Sequence, residues 1–196
     1  MSRDAALRTR TGSAAEAITA ILLSAASTEA FVNEFAEYVI AVRALPYHGE
    51  EILPSIAESA SVIMRLEAGR RSVTEKYRKG ANALSSEPAF EESPVFQEFK
   101  CLHDLRSSIM HVKLAIGSDH GGTRQTNNLA ERRIAIPQTD FGMPWFERLM
   151  VPSVAKWAHD SARDIMRAFV DRIPVRALYD PFWNERQMLR EHPECW

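Results

Sequence analysis

Four long segments of this chain repeat their apolar residues every three to four positions, and almost nowhere do apolar and polar residues alternate one by one. That pattern argues against a sheet-based fold and predicts an all-α protein. The first helix is expected from about Ala14 to Val42, ahead of Pro46 and Gly49. The second starts near Pro54, a residue tolerated in a first turn, and runs to about Leu84. The third begins after Ser93-Pro94 and ends at Gly117; the fourth spans about Pro152 to Ile173 and is stopped by Pro174. The expectation is a four-helix up-and-down bundle occupying 14–179, between a flexible tail at 1–13 and a second tail at 180–196. Trp183 and Trp196 suggest that the second tail docks. Residues 117–151, rich in Gly, Asn and Pro, read as a long insertion between helices three and four, with RRIAIP (132–137) its one candidate strand.

Composition narrows the classes further. A hydrophobic share of 45% in 196 residues supports one sizeable core. A net charge of −2 makes no demand for nucleic acid, although a local basic patch is still compatible with it. No apolar run approaches the roughly 20 residues of a membrane helix. The opening MSRDAALRTRTGS lacks the apolar core of a secretory signal, so a cytoplasmic protein that does not engage the membrane is expected. The two cysteines, Cys101 and Cys195, form no CxxC, and the six histidines show no HxH or HExxH spacing. Neither a disulfide framework, a metal site nor a cofactor is therefore expected.

Helical wheels single out a few polar residues. Helix three should bury Val95, Phe99, Leu102, Leu105, Ile109, Val112 and Ile116. Arg106 falls at the edge of that stripe, about 70° from its centre, and His111 lies on the nearly opposite face among Asp104, Ser107 and Ser108. Five residues rotate a helix by about 140°, so Arg106 and His111 of one chain diverge. A working pair would need a second copy of the helix brought in by two-fold symmetry. On helix one the stripe is Ile18, Ile21, Leu22, Ala25, Val32, Ala36 and Val39, with Glu29 at its centre and Asn33 at its edge. A carboxylate there is costly unless paired, and Arg106 is the best candidate partner. The plain alternative is a structural Glu29–Arg106 ion pair that fixes helix register, with His111 an ordinary surface residue.

STEAFVNEFAEY (27–38), FKCLHDLRSSIMHV (99–112) and AKWAHDSARDIMRAFVDRIP (155–174) together resemble the HEPN superfamily of helical bundles, over roughly 14–174. The hallmark of that superfamily is an arginine followed, after four to six residues, by histidine; here four residues separate Arg106 from His111. The resemblance implies a metal-independent endoribonuclease, a toxin or phage-defence component, with a composite site at a homodimer interface. It also implies RNA as substrate and, as in several members, a nucleotidyltransferase antitoxin as partner. His111 would be the general acid or base and Arg106 the phosphate ligand. Glu29 and Asn33 would orient Arg106, with Ser107 and Asp104 in support. Ser107 departs from the asparagine or strongly polar residue common after the arginine, and it reaches less far. The alternative is a catalytically inactive HEPN-like scaffold that binds a nucleotide or a protein; an unrelated four-helix interaction protein is the third reading.

RLEAGRRSVTEKYRK (65–79) offers Arg70, Arg71, Lys76, Arg78 and Lys79 to an RNA backbone, with Tyr77 for stacking. Glu67 and Glu75 dilute this run, and a solvated helix face is the stronger reading. Arg124, Arg132 and Arg133 form a second basic group inside the insertion. His103 is read as a packing or surface residue. His120, in SDHGG, is either a substrate contact or part of a plain turn.

Overall fold

The computed structural model describes residues 3–44, 52–85, 89–110, 120–137 and 144–174, with side chains from Glu16 in the first stretch and from Gly122 in the fourth. These residues are all-α. They form α1 (Arg3–Arg43), α2 (Pro54–Ala68), α3 (Val73–Leu84), α4 (Pro94–Met110), α5 (His120–Glu131) and α6 (Pro152–Val170), with short 3-10 turns at Phe90–Glu92 and Glu147–Leu149. Among the described residues there is no strand, and no helix is long and apolar enough to cross a membrane.

Three departures from the expected bundle have local causes. First, α1 begins at Arg3, not at Ala14, so 3–13 are helical where a tail was expected. RDAALRTR contains neither Pro nor Gly, and extending an existing helix adds a hydrogen bond for each residue fixed. Second, the expected second helix is two. Arg71 N bonds Leu66 O at 2.9 Å and Arg70 N bonds Glu67 O at 2.8 Å, a Schellman closure of α2 with Arg70 in the left-handed region at φ 51°. Ser72 then caps α3, its Oγ accepting from Glu75 N at 3.3 Å, in the Ser-x-x-Glu spacing of a capping box. Third, the insertion contains α5. RRIAIP is no strand: Ile134 N bonds Leu129 O at 2.8 Å and Arg133 N bonds Ala130 O at 2.9 Å, closing α5 with Arg133 at φ 60°. The far end of the expected third helix, 111–117, lies outside the described residues, as do the 180–196 tail and its two tryptophans.

The chain divides into two compact units. Unit one is Met1–Ala26 with Lys100–Ala162; unit two is Ser27–Phe99 with Arg163–Trp196. In unit two an aromatic cluster forms the core: Phe169 meets Phe35 at 5.1 Å and Tyr77 at 5.5 Å, and Tyr77 meets Phe99 at 4.7 Å. Helices α2 and α3 close on one another at Gly80, whose carbonyl accepts from Ser59 Oγ at 2.9 Å. A Cβ on Gly80 would stand 2.8 Å from Ile63 Cδ1, so the close approach depends on glycine. In unit one Leu102 and Leu105 of α4, Leu129 of α5, and Val154 and Ala158 of α6 are fully buried. There Gly122 plays the same part, since its Cβ would fall 2.5 Å from the Trp145 ring.

Candidate functional site

The stripe of α4 runs through Phe96, Phe99, Leu102 and Leu105, with Val95 and Ile109 only half-buried. Arg106, next along from Leu105, is half-buried on its flank, as the wheel predicts. Within unit one its guanidinium has no hydrogen-bond or ion-pair partner among the described residues. One turn earlier stands His103, whose imidazole is pushed down to about 4, first by burial and then by the Arg106 charge. At neutral pH this is an uncharged ring beside a permanent cation. Sequence reasoning set His103 aside; its three-residue spacing from Arg106, which puts both on one face, was the available signal.

The next residues tie α4 to α5. Gln125 Nε2 donates to Asp104 Oδ2 at 3.2 Å, and Cys101 Sγ donates to Gln125 Oε1 at 3.3 Å. Lys100 Nζ lies 3.7 Å from the same Asp104 oxygen. Asp104 therefore works as a brace between two helices. Ser107 is exposed, and Ser108 Oγ returns to Asp104 O at 3.0 Å. His111 lies outside the described residues, as does the side chain of His120.

The helix-one residues behave differently from expectation. The buried line of α1 is Ala17, Ile21, Ser24, Ala25, Thr28, Val32, Phe35, Ala36 and Val39. Thr28 holds its centre and Glu29 is only half-buried beside it, so burial does not oblige Glu29 to find a cation. Asn33 is engaged inside unit two, where its Oδ1 accepts from Lys76 Nζ at 3.0 Å. Lys76 is itself 1% exposed and ion-paired with Glu67.

That pairing also removes Lys76 from the basic run, because a buried ammonium cannot meet RNA. Arg78 Nη1 lies 3.6 Å from Glu91 and Lys79 Nζ lies 2.9 Å from Glu75, whose carboxyl that lysine holds below its usual range. Tyr77 is fully buried with its hydroxyl donating to Thr28 O at 3.0 Å, and burial raises it well above an ordinary phenol. It cannot stack on a base. Of the run, Arg70 and Arg71 remain exposed with no carboxylate in ion-pair contact among the described residues, although the Arg71 charge also helps lower Glu75.

A second cationic feature was hidden in the apolar stretch FERLMV. Arg148 is 2% exposed, its Nε donating to Ile136 O and its Nη1 to Asn127 Oδ1, both at 2.8 Å. Burial lowers its pKa, yet an arginine stays charged at neutral pH.

The class these features define is an all-α protein with two buried or half-buried cations, Arg148 and Arg106, that no carboxylate neutralises among the described residues of unit one. No protein-family model, curated protein sequence or solved structure matches this chain.

Proposed function

We propose that this protein is a HEPN-like, metal-independent endoribonuclease, a cytoplasmic toxin or phage-defence component that acts as a homodimer. Arg106 binds the scissile phosphate through its guanidinium fork. His111 takes the proton of the 2′-hydroxyl or delivers one to the departing 5′-oxygen. As the 2′-oxygen bonds to phosphorus the bond to the 5′-oxygen breaks, leaving a 2′,3′-cyclic phosphate. The observation that carries the reading is Arg106 itself: half-buried on the flank of α4, without a carboxylate in its own unit among the described residues, beside an imidazole held neutral. An unquenched guanidinium in partial burial favours a phosphate more than one in open water does.

One observation favours the scaffold reading. Asn33, expected to orient the arginine, is committed to Lys76. The two readings part on one experiment: purified protein with a mixed RNA pool in EDTA, beside Arg106→Ala and His111→Ala variants verified as folded. The ribonuclease reading expects cleavage to cyclic-phosphate ends that both variants lose by about 100-fold or more. Cleavage that survives both substitutions, or no cleavage by the folded native protein, overturns it.

A further inference from the structure

We infer that the solvent face of α5, above the Arg148 clamp, is a binding surface for the sugar–phosphate backbone of single-stranded RNA. The choice of RNA rests on the ribonuclease reading; the surface itself rests on four features of unit one.

The first is the buried charge. Both acceptors on Arg148, the Ile136 carbonyl and the Asn127 amide oxygen, are neutral, and no carboxylate pairs with it among the described residues. A cation balanced only by dipoles leaves positive potential on the surface above it. Second, this clamp orients Asn127. With Oδ1 held by Arg148, the Asn127 amide keeps its two Nδ2 donors for another acceptor. Third, a cleft of about 410 Å³, open to solvent, is lined by Thr123, Arg124, Asn127, Asn128 and Glu131, which share one face of α5. Arg124 and Asn128 are exposed there. Fourth, Arg132 and Arg133 stand exposed at the end of the same helix, Arg133 in a left-handed backbone conformation that favours glycine.

Among the described residues of 122–137 and 144–150 four arginines stand against two carboxylates, Glu131 and Glu147, so their balance is positive. From Arg124 to the end of α5 at Glu131 is roughly 10 Å along the helix axis, with Arg133 beyond it, too far for one phosphate to satisfy both arginines. A chain of repeating phosphates spans it. The amide donors between suit 2′-hydroxyls and base edges, which a single strand leaves unpaired.

The test measures binding of the full-length protein to a short, labelled 2′-O-methyl RNA. That probe lacks the nucleophilic hydroxyl, so binding is read without cleavage. Arg124→Glu should weaken binding about 10-fold or more, and Arg124→Ala should reduce the salt-dependence slope by about 0.7. Asn128→Ala should give a smaller loss. Lys156→Ala, which removes an exposed cation of α6 bonded to Asp160 at 2.6 Å, should leave binding unchanged. Failure of the native protein to bind, equal binding by Arg124→Glu, or an equal loss in Lys156→Ala overturns the inference. Binding through α5 by a protein that cuts no RNA would sink the ribonuclease reading and leave the surface standing. Cleavage of ordinary RNA with Arg124→Glu binding intact would do the reverse.

Discussion

The α2–α3 part of unit two and, in unit one, α4 with the Glu147–Leu149 turn both hold cations out of full solvent contact and treat those buried or half-buried ones in opposite ways. In α2 and α3 each of four cations has a carboxylate: Arg65 has Glu58 at 3.2 Å, Lys76 has Glu67, Arg78 has Glu91 and Lys79 has Glu75. In unit one Arg106 and Arg148 have none among the described residues, and Arg148 is held by neutral oxygens alone. A cation that already has its counter-ion has little to gain from a phosphate. The contrast points away from the run with the most lysine and arginine in the sequence and toward Arg106 and Arg148, which are buried or half-buried without a carboxylate among the described residues.

Four sets of substitutions test this contrast. The largest effect is expected where each unit relies on a glycine. Gly122→Ala drives a methyl into the Trp145 ring and should destabilise the protein by about 3 kcal/mol in urea denaturation. Gly80→Ala meets the flexible end of Ile63 and should cost about half as much, since Ala regains up to about 1 kcal/mol of helix propensity in both. Equal losses would mean that both contacts relax alike.

Next comes the buried lysine of unit two. Lys76→Ala leaves a cavity and frees Glu67 and Asn33, and should cost about 2–3 kcal/mol. Lys76→Met keeps the volume and should fall within about 1 kcal/mol of the native protein. If Met loses as much as Ala, the ammonium itself matters and the pairing in unit two is more than a filler.

A smaller effect tests the Arg106 neighbourhood. His103 is depressed to about 4 from 6.5, so the unfolded chain takes up its proton first as pH falls. Its contribution is complete above about 6.5 and is lost progressively between 6.5 and 4, amounting to roughly 1–2 kcal/mol after solvent screening. His103→Gln should flatten that part of the stability–pH curve. Arg106→Ala should move the His103 titration, followed by NMR, upward. A titration unmoved by Arg106→Ala would separate the two side chains.

The smallest expected effect is a gain. Arg70→Gly relieves a left-handed arginine at the end of α2 and should stabilise by about 0.5–1 kcal/mol. Arg133→Gly should gain the same stability in unit one while weakening RNA binding if α5 is an RNA surface. Equal stability gains with no change in binding would remove the functional contrast between these two caps.

Much of the fold was legible. The helical class, the start of α2 at Pro54, α4 after Ser93-Pro94 and α6 after Pro152 all follow from periodicity and breakers. The break between α2 and α3 was legible too, in Gly69 and in Ser72-x-x-Glu75, but Arg70 and not the glycine takes the left-handed position. Helix α5 was not. Two glycines and two asparagines argue against a helix locally, and what favours it is tertiary: Gly122 under Trp145, Asn127 against Arg148.

The candidate site divides the same way. The sequence by itself determined that Arg106 sits at the edge of an apolar stripe, because that depends only on the 3.6-residue turn of its own helix. The same arithmetic placed Glu29 one step from where the buried line of α1 runs, through Thr28, because the line is set by what packs on the helix and a wheel does not contain it. Which cations are quenched, that Lys76 is buried while Arg70 is exposed, and that Arg148 lies beneath α5 were decided only by the tertiary structure. Charge is written in the sequence, but its compensation depends on which side chains from distant segments come within a few ångströms, and Coulomb interactions in partial burial are decided at that range.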